Sequence, residues 1–213
     1  MTKRQYDIEA REAEICGHPP RILPLDAEDV IASALQNTER LRVAAAGGSA
    51  PPSAPVAASE VPELVLTLLR HPALYERLTE MAIALQGRGA LTARDRELAV
   101  LRVGWLCQAP YEWGEHVRLA RRAGLTSEEI ERVTRGSSTP GWTDHEAAIL
   151  RAAEELHERA MISDATWRVL SDHLDERQLI ELPILIGQFT LVAYLQNALR
   201  LRLGNGNVGL KAR

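Results

Sequence analysis

Two carboxylates and one imidazole fall on neighbouring predicted helices at spacings that would bring them together. Glu97 lies in the helix predicted for residues 93–107, and Glu112 and His116 lie in the first two turns of the helix predicted for residues 110–123. The i,i+4 spacing places Glu112 and His116 on one face, and helical periodicity turns Glu97 inward. Burial raises the pKa of a carboxyl group, and a carboxylate partner tunes an imidazole near neutrality. These residues therefore predict general acid–base chemistry.

The same spacing also fits a purely structural role. A buried Glu97 paired with Arg94, or a His116 bonded to Glu112 only to satisfy a helix contact, occurs in proteins without catalytic function. A metal site built from Glu97, Glu112 and His116 is not favoured, because the sequence has no ligand-pair motif such as HExxH.

Three further side chains lie close to the presumed site. Cys107 ends the helix predicted for residues 93–107, near His116. It is either a small apolar core residue or a reactive thiol, although a helix C-terminus does not stabilise a thiolate. Trp105 and Trp113 bracket the presumed cavity, either as core residues or as a platform for a substrate. Because Cys16 is the only other cysteine, the sequence predicts neither a disulfide framework nor a Cys-rich metal site.

The composition narrows the class of protein. The chain has 213 residues, of which 46% are hydrophobic and 25% charged, the balance of a soluble globular protein of one or two domains. A net charge of −4 does not favour binding to nucleic acid. No stretch approaches the roughly 18 uninterrupted apolar residues that span a bilayer, and the charged N-terminus has no apolar core. With so few cysteines, we expect a cytoplasmic protein without a membrane partner.

The residue pattern predicts a nearly all-α fold. Aromatic residues make up only 4% of the chain, and apolar residues recur every three to four positions. Thr126 with Glu129, and Thr143 with Glu146, fit the capping box that starts a helix. Pro183 interrupts the last apolar segment, which is either a kinked central helix or a subunit interface. The predicted helices span residues 62–70, 72–87, 93–107, 110–123, 127–135, 144–160, 164–172 and 176–202.

A segment rich in small residues divides the chain. Residues 43–59 concentrate Gly, Ala, Ser and Pro, and this composition predicts an exposed linker. One helix, from Ala27 to Leu41 and started by Asp26, is predicted before it. We therefore predict three regions. They are an N-terminal extension with its linker over residues 1–60, a compact multi-helix bundle over 61–205 and a C-terminal tail over 206–213.

One segment imitates a DNA-binding motif. LARRAGLTSEEIERV, residues 119–133, has the turn glycine and apolar spacing of a helix-turn-helix. Its would-be recognition helix opens with Glu128, Glu129 and Glu131, which would repel phosphate groups. The sequence therefore predicts no nucleic-acid partner.

The segment RDRELAVLRVGWLCQAPYEWGEHVRLARRAGLTSEEIERV resembles the core of the carboxymuconolactone decarboxylase and alkylhydroperoxidase D superfamily. In that superfamily a helix Glu precedes a His by nineteen residues, as Glu97 precedes His116, and an A-x-x-x-G-L turn follows. The resemblance extends over about residues 62–202. It implies an all-helical fold of the alkylhydroperoxidase D-like type, no cofactor, a small-molecule substrate, and homo-oligomers whose subunits share active sites.

The resemblance is closer to the decarboxylase branch. The peroxidase branch has a Cys-x-x-Cys pair before the His, where this chain has Ala109 and Glu112. The decarboxylase branch has a Tyr-Glu pair, similar to Tyr111 and Glu112. The resemblance therefore implies a lyase or isomerase of aromatic compound catabolism, acting on a small carboxylated lactone or ring acid.

The resemblance also implies roles for individual residues. His116 would donate a proton, Glu97 would orient or recharge it, and Glu112 would set its charge state. Tyr111 or Arg94 would hold a substrate oxygen or carboxylate. The other predicted substrate contacts are Trp105, Cys107 and Trp113.

Two other functions remain open from the sequence. A peroxidase or antioxidant protein would require Cys107 to have a low pKa. A noncatalytic binding module on the same fold would be indifferent to changes at Glu97 and His116.

Overall fold

The chain folds into helices throughout the part that can be described. The structure is a computed structural model, and it describes residues 6–26, 28–45, 61–204 and 206–213. Within these ranges there are ten α-helices, one short 3-10 helix and no strand, so the all-α prediction is confirmed. The helices are α1 Ile8–Cys16, α2 Glu28–Ala45, α3 Glu63–Leu68, α4 Pro72–Gly87, α5 Ala93–Leu106, α6 Pro110–Arg122, α7 Ser127–Arg135, α8 Asp144–Arg159, α9 Asp164–Ser171, α10 Glu176–Leu199 and the 3-10 helix Gly209–Lys211.

The predicted capping boxes are present at the starts of α7 and α8. The hydroxyls of Thr126 and Thr143 accept hydrogen bonds from the backbone N–H groups of Glu129 and Glu146, and each glutamate carboxylate accepts from the cap residue in return. These reciprocal bonds satisfy amides that have no partner inside the helix. At the other end of the chain, α10 stops at Leu199 rather than at residue 202, because Arg200 takes a left-handed conformation with φ 55°.

The N-terminal region differs from its prediction. Only one helix was predicted before the linker, but α1 is also present, started by the side chain of Asp7. Its apolar pattern is weak, and long-range bonds from Arg11 to the Gln108 carbonyl and from the Leu210 amide to Glu12 help to hold it. Residues 43–45 of the predicted linker belong to α2, and the remainder of that segment lies outside the described residues.

Contacts divide the chain into two compact units. One contains the residues up to Pro19 together with Leu91–Arg213, and the other is Pro20–Ala90. The second unit has its own small core, made by Ile31, Val61, Leu69 and Tyr75. The domain boundaries predicted at residues 60 and 205 stay a prediction, but α4 packs here with α2 and α3.

Helix α5 is the centre of the larger unit. It packs against α6, α7, α8 and α10, and its residues from Leu98 to Gly104 are all buried. Arg102, on the side of this helix opposite Glu97, is buried as well. Its guanidinium donates to the carbonyls of Val133 and Thr134 and pairs with Glu154. This side of α5 is buried because α7 and α8 cover it.

Helix α10 has one face in the core and one face outside. Leu182, Leu185 and Phe189 are buried, whereas Ile184 and Tyr194 are exposed. By length and composition alone, α10 is the one helix in the described ranges that could cross a membrane. A core helix of a globular protein has the same character, and the buried face of α10 packs on α5.

The C-terminal residues pack against α6. The indole Nε1 of Trp113 donates to the Ala212 carbonyl at 3.0 Å, and the amide of Asn207 donates to the Tyr111 carbonyl at 2.9 Å. A Cβ at Gly114 would overlap the Oδ1 of Asn207, so a glycine lets the tail approach the helix backbone.

Candidate active site

Three helices bring a polar cluster into the centre of the larger unit. Glu97 comes from α5, Glu112 and His116 come from α6, and Gln196 comes from α10. Pro110 begins α6, which places Glu112 in its first turn and His116 one turn later. All four polar side chains are buried, in a core that is otherwise mainly apolar.

The imidazole of His116 lies between the two carboxylates. Its Nδ1 is 2.8 Å from Oε2 of Glu97, a hydrogen bond, and its Nε2 is 3.5 Å from Oε1 of Glu112, an ion-pair contact. The Gln196 amide donates to Oε2 of Glu112 at 2.7 Å. The edge-to-face ring of Phe189, 4.8 Å from the imidazole centre, packs beside His116. The structure thus brings together the three residues predicted to be catalytic, while their roles stay a prediction.

The environment makes two of these groups bind protons more tightly than they would in water. Burial raises the pKa of Glu112, and the charge of Glu97 adds to this effect against the opposing influence of His116 and Gln196. Burial alone would lower the pKa of His116. The hydrogen bond to Glu97 and the charge of Glu112 outweigh burial, so the pKa of His116 is raised. Protons held on His116 and Glu112 are available for transfer to a bound molecule.

Two buried acceptor atoms in the cluster have no hydrogen-bond partner within the described residues. They are Oε1 of Glu112 and Oε1 of Gln196. An unsatisfied buried polar atom costs about 1–3 kcal/mol, so a donor that enters the site is stabilised there. Gly104 helps to form the site, because a Cβ at this position would lie 3.5 Å from the backbone N of Trp113 and 3.8 Å from Cγ of Glu112.

Gln196 was missed in the sequence analysis. It lies 84 residues beyond Glu112, and nothing local connects the two. The available signal was a single amide on the face of α10 that also carries Phe189 and Ala193, both buried. A polar residue in an apolar helix face commonly has a buried partner.

Arg94 points away from the cluster. Its guanidinium donates to Glu146 at 2.9 and 2.7 Å and also to Glu129. Glu146 is the capping-box carboxylate of α8, and Glu129 is that of α7. These partners tie the first turn of α5 to the starts of two other helices. Neither the predicted pairing with Glu97 nor the predicted contact with substrate is supported by this geometry.

Cys107 lies at the end of α5 with a poorly ionising thiol. Burial, followed by the charge of Glu112, raises the pKa of Cys107 to about 11. The Asn197 amide donates to the Cys107 carbonyl at 3.0 Å. At neutral pH the group is therefore a thiol, which is a poor nucleophile.

The aromatic residues predicted to contact substrate are part of the core around the C-terminal tail. The rings of Trp105 and Trp113 are 5.0 Å apart, and Trp113 is completely buried with its indole N–H bonded to Ala212. Tyr111 is also buried, in the first turn of α6 beside Glu112. The surroundings of Trp113 thus fit a core residue better than a platform for a substrate.

Two other features lie apart from the cluster. A groove of about 680 Å³ between α8 and α10 is lined mainly by apolar residues and includes none of Glu97, Glu112 or His116. Within the described ranges, no group of three or more His, Cys, Asp or Glu side chains is arranged to hold a metal ion.

Comparisons with known proteins agree with the fold and the helical core. The model of the carboxymuconolactone decarboxylase family matches residues 72–155. A search of curated proteins found no match. The family model matches a stretch that includes residues 94–133, and this match supports the resemblance seen in the sequence.

Several solved structures share the fold at low sequence identity. The alkylhydroperoxidase AhpD core of an uncharacterised peroxidase-related protein from Ralstonia eutropha JMP134 superposes with a TM-score of 0.68 and 18% identity, over 88% of this chain and 94% of that one. The debrominase Bmp8 gives 0.63 and 14% identity, over 86% and 92%. A putative antioxidant defence protein AhpD of unknown function from Agrobacterium tumefaciens gives 0.58 and 19% identity, over 64% and 94%.

Proposed function

We propose that this chain, which resembles the carboxymuconolactone decarboxylase and alkylhydroperoxidase D-like superfamily, is a cofactor-free lyase or isomerase that acts on a small carboxylated lactone or ring acid. The observation that carries the proposal is the buried imidazole of His116, held by Glu97 at 2.8 Å on one nitrogen and facing Glu112 at 3.5 Å on the other. Such an arrangement holds and transfers a proton out of contact with bulk water.

The proposed reaction is decarboxylation followed by protonation at carbon. Loss of CO₂ breaks a carbon–carbon bond and leaves its electron pair on the substrate, where an unsaturated carbonyl can delocalise it. His116 then donates the proton to carbon from Nε2, because Nδ1 is engaged by Glu97. Glu112, whose pKa is raised by burial, returns a proton to Nε2 and recovers one from solvent after the product leaves. An isomerase would use the same two groups to move a proton between carbons.

The peroxidase alternative is less well supported. Peroxide reduction by a cysteine requires a thiolate, and the pKa of Cys107 is raised to about 11. Cys16 is the only other cysteine, and burial raises the pKa of its thiol as well. The noncatalytic alternative makes the opposite prediction from ours for changes at His116.

The test is CO₂ release from a panel of carboxylated lactones and β-keto acids, including carboxymuconolactone. We expect release by the wild type and a loss of about 10²–10⁴-fold in His116→Ala, the usual contribution of a general acid. The matched control is His145→Ala, because His145 also pairs with a buried carboxylate, Asp95, at 2.9 Å but lies outside the cluster. It should change the rate by no more than a few-fold.

Two results would count against the proposal. Equal release by wild type and His116→Ala would remove His116 from the mechanism. No release by the wild type from any member of the panel would reject decarboxylation, and peroxide consumption with Cys107→Ser as the control would then be measured.

A further inference from the structure

Arg96 is a cation beside the cluster to which the proposed chemistry assigns no role. It precedes Glu97 in α5, and its Nε lies 3.5 Å from Oε1 of Glu97. This is a charge contact without a hydrogen bond, because the buried Nε has no hydrogen-bond partner within the described residues. Only 17% of the Arg96 side chain is exposed.

The two neighbouring arginines of α5 are engaged by the protein itself. Arg94 donates to Glu129 and Glu146, and Arg102 donates to two backbone carbonyls and pairs with Glu154. In the part of the chain that the structure describes, the Arg96 guanidinium has the Glu97 contact alone. Buried donors are normally satisfied, and the buried Nε–H of Arg96 is not. A guanidinium offers five N–H donors in a planar fork that matches a carboxylate. An unused fork beside an acid–base cluster therefore indicates a binding position for an anion.

We propose that Arg96 binds a carboxylate of the substrate. The inference rests on the proposed function, and it replaces Arg94 as the residue that recognises the acid. The carboxylate of Glu97 would repel an anionic substrate, so a cation is needed where that substrate enters. Arg96 is suitably placed, because its side chain is 17% exposed, whereas those of His116 and Glu112 are 8% and 4% exposed.

The carboxylate held by Arg96 is one that survives the reaction. Ion pairing stabilises an anion in the ground state, and this stabilisation opposes the loss of that same group as CO₂. Arg96 therefore determines specificity and position, while proton transfer belongs to His116. Replacement of Arg96 should therefore raise KM more than it lowers kcat.

The first test measures carboxylate binding without any reaction. The full-length protein, labelled with ¹⁵N-arginine, is titrated with benzoate at constant ionic strength, and the Nε–H resonances are followed. The Arg96 resonance is assigned by its loss in Arg96→Gln. We expect a saturable shift of that resonance in the wild type. Titration calorimetry measures benzoate affinity in wild type and variants alike, and we expect binding to be weakened at least about tenfold in Arg96→Gln, as for a lost hydrogen bond to a charged group.

Two variants control for structural effects. Arg94→Gln removes a neighbouring cation of the same helix and should leave benzoate binding within a factor of about two, since Arg94 serves the ion pairs of α7 and α8. Arg96→Lys keeps the charge but not the fork, and should recover part of the binding. Failure of wild type to bind benzoate, or equal affinity in wild type and a folded Arg96→Gln, overturns the inference.

Kinetics on the same variants separate this inference from the proposed function. Benzoate binding through Arg96 without CO₂ release from the substrate panel would support the inference and reject the proposed reaction. CO₂ release with an unchanged KM in Arg96→Gln would support the reaction and reject the role of Arg96.

Discussion

At the scale of single residues, the two carboxylates differ in how they hold the imidazole. The 2.8 Å contact from Glu97 is a hydrogen bond that fixes the ring and its Nδ1 proton, whereas Glu112 stands 3.5 Å from Nε2. Gln196 occupies one oxygen of Glu112 and leaves the other without a partner among the described residues. Glu97 therefore orients His116, and Glu112 is the group whose proton can exchange.

The first prediction concerns the pKa of His116. Glu97→Gln removes the charge and the strong acceptor at Nδ1, and burial then acts on the imidazole with less opposition. We expect the pKa of His116 to fall in this variant. Histidine proton resonances followed by NMR across pH measure the change. His145, whose partner Asp95 is untouched, is the internal control, and equal His116 pKa values in wild type and variant would contradict the argument.

The same change affects stability in a defined direction. In the wild type the folded-state pKa of His116 is raised, so its contribution to the free energy of unfolding is fully present below the unfolded-state pKa. That contribution is lost as pH rises through the folded-state pKa. Glu97→Gln should reduce the loss, which denaturant unfolding on both sides of neutral pH would detect.

Part of the cluster could be predicted from the sequence. Glu112 and His116 are one helical turn apart, and Glu97 fits the inward face of its helix, so local periodicity was sufficient. Gln196 could not be found in this way because it meets Glu112 only through the tertiary fold. The pairing of Arg94 with Glu97 is not observed, because the partners of Arg94 are first-turn residues of α7 and α8, which spacing along α5 cannot reveal.

At the scale of elements, α5 explains where periodicity works and where it does not. A periodic pattern distinguishes an inner from an outer face only when one face meets water. Neighbouring helices enclose α5, so Asp95 and Arg102 are buried too, with partners near the start of α8 and at the end of α7.

Capping signals depend on adjacent residues alone, and they located the starts of α7 and α8 correctly. Helix α1 was not predicted because Ile15 is its one buried residue, so the segment has no periodic apolar face.

The second prediction compares two helical glycines. Gly114→Ala places a Cβ against Asn207, which is buried and bonded to Tyr111, so the C-terminal tail must shift from α6. We expect a loss of about 1–3 kcal/mol in the free energy of unfolding, as for overpacked cores. In Gly187→Ala the new Cβ meets no atom of the described residues within 4 Å, and α10 should gain about 0.5–1 kcal/mol. Denaturant unfolding measures both, and a stability order opposite to this one would show that the tail contact is weak.

At the scale of the whole molecule, the outer face of α10 exposes large apolar side chains to solvent. The exposed fractions of Ile180, Ile184, Leu191 and Tyr194 are 64%, 44%, 41% and 60%. These residues recur at helical spacing, so they form one apolar stripe. A contiguous apolar surface of this kind marks an interaction site more often than a scattered one does. The superfamily resemblance implies homo-oligomers, and we propose that a second copy of the chain covers this stripe.

The last prediction tests that assembly and its relation to the site. In a two-fold interface each substitution appears twice, so Ile184→Glu or Tyr194→Glu brings like charges together in an apolar contact. We expect an oligomeric wild type and monomeric variants by light scattering at equal concentration. Met161→Glu is the control, because Met161 is equally exposed, at 57%, but lies outside α10. A monomeric wild type, or variants of unchanged mass, would reject the stripe as the interface.

Since Glu97, Glu112 and His116 meet within one chain, the monomeric variants should keep the raised pKa of His116. Loss of the raised pKa would mean that the neighbouring subunit helps to bury the site.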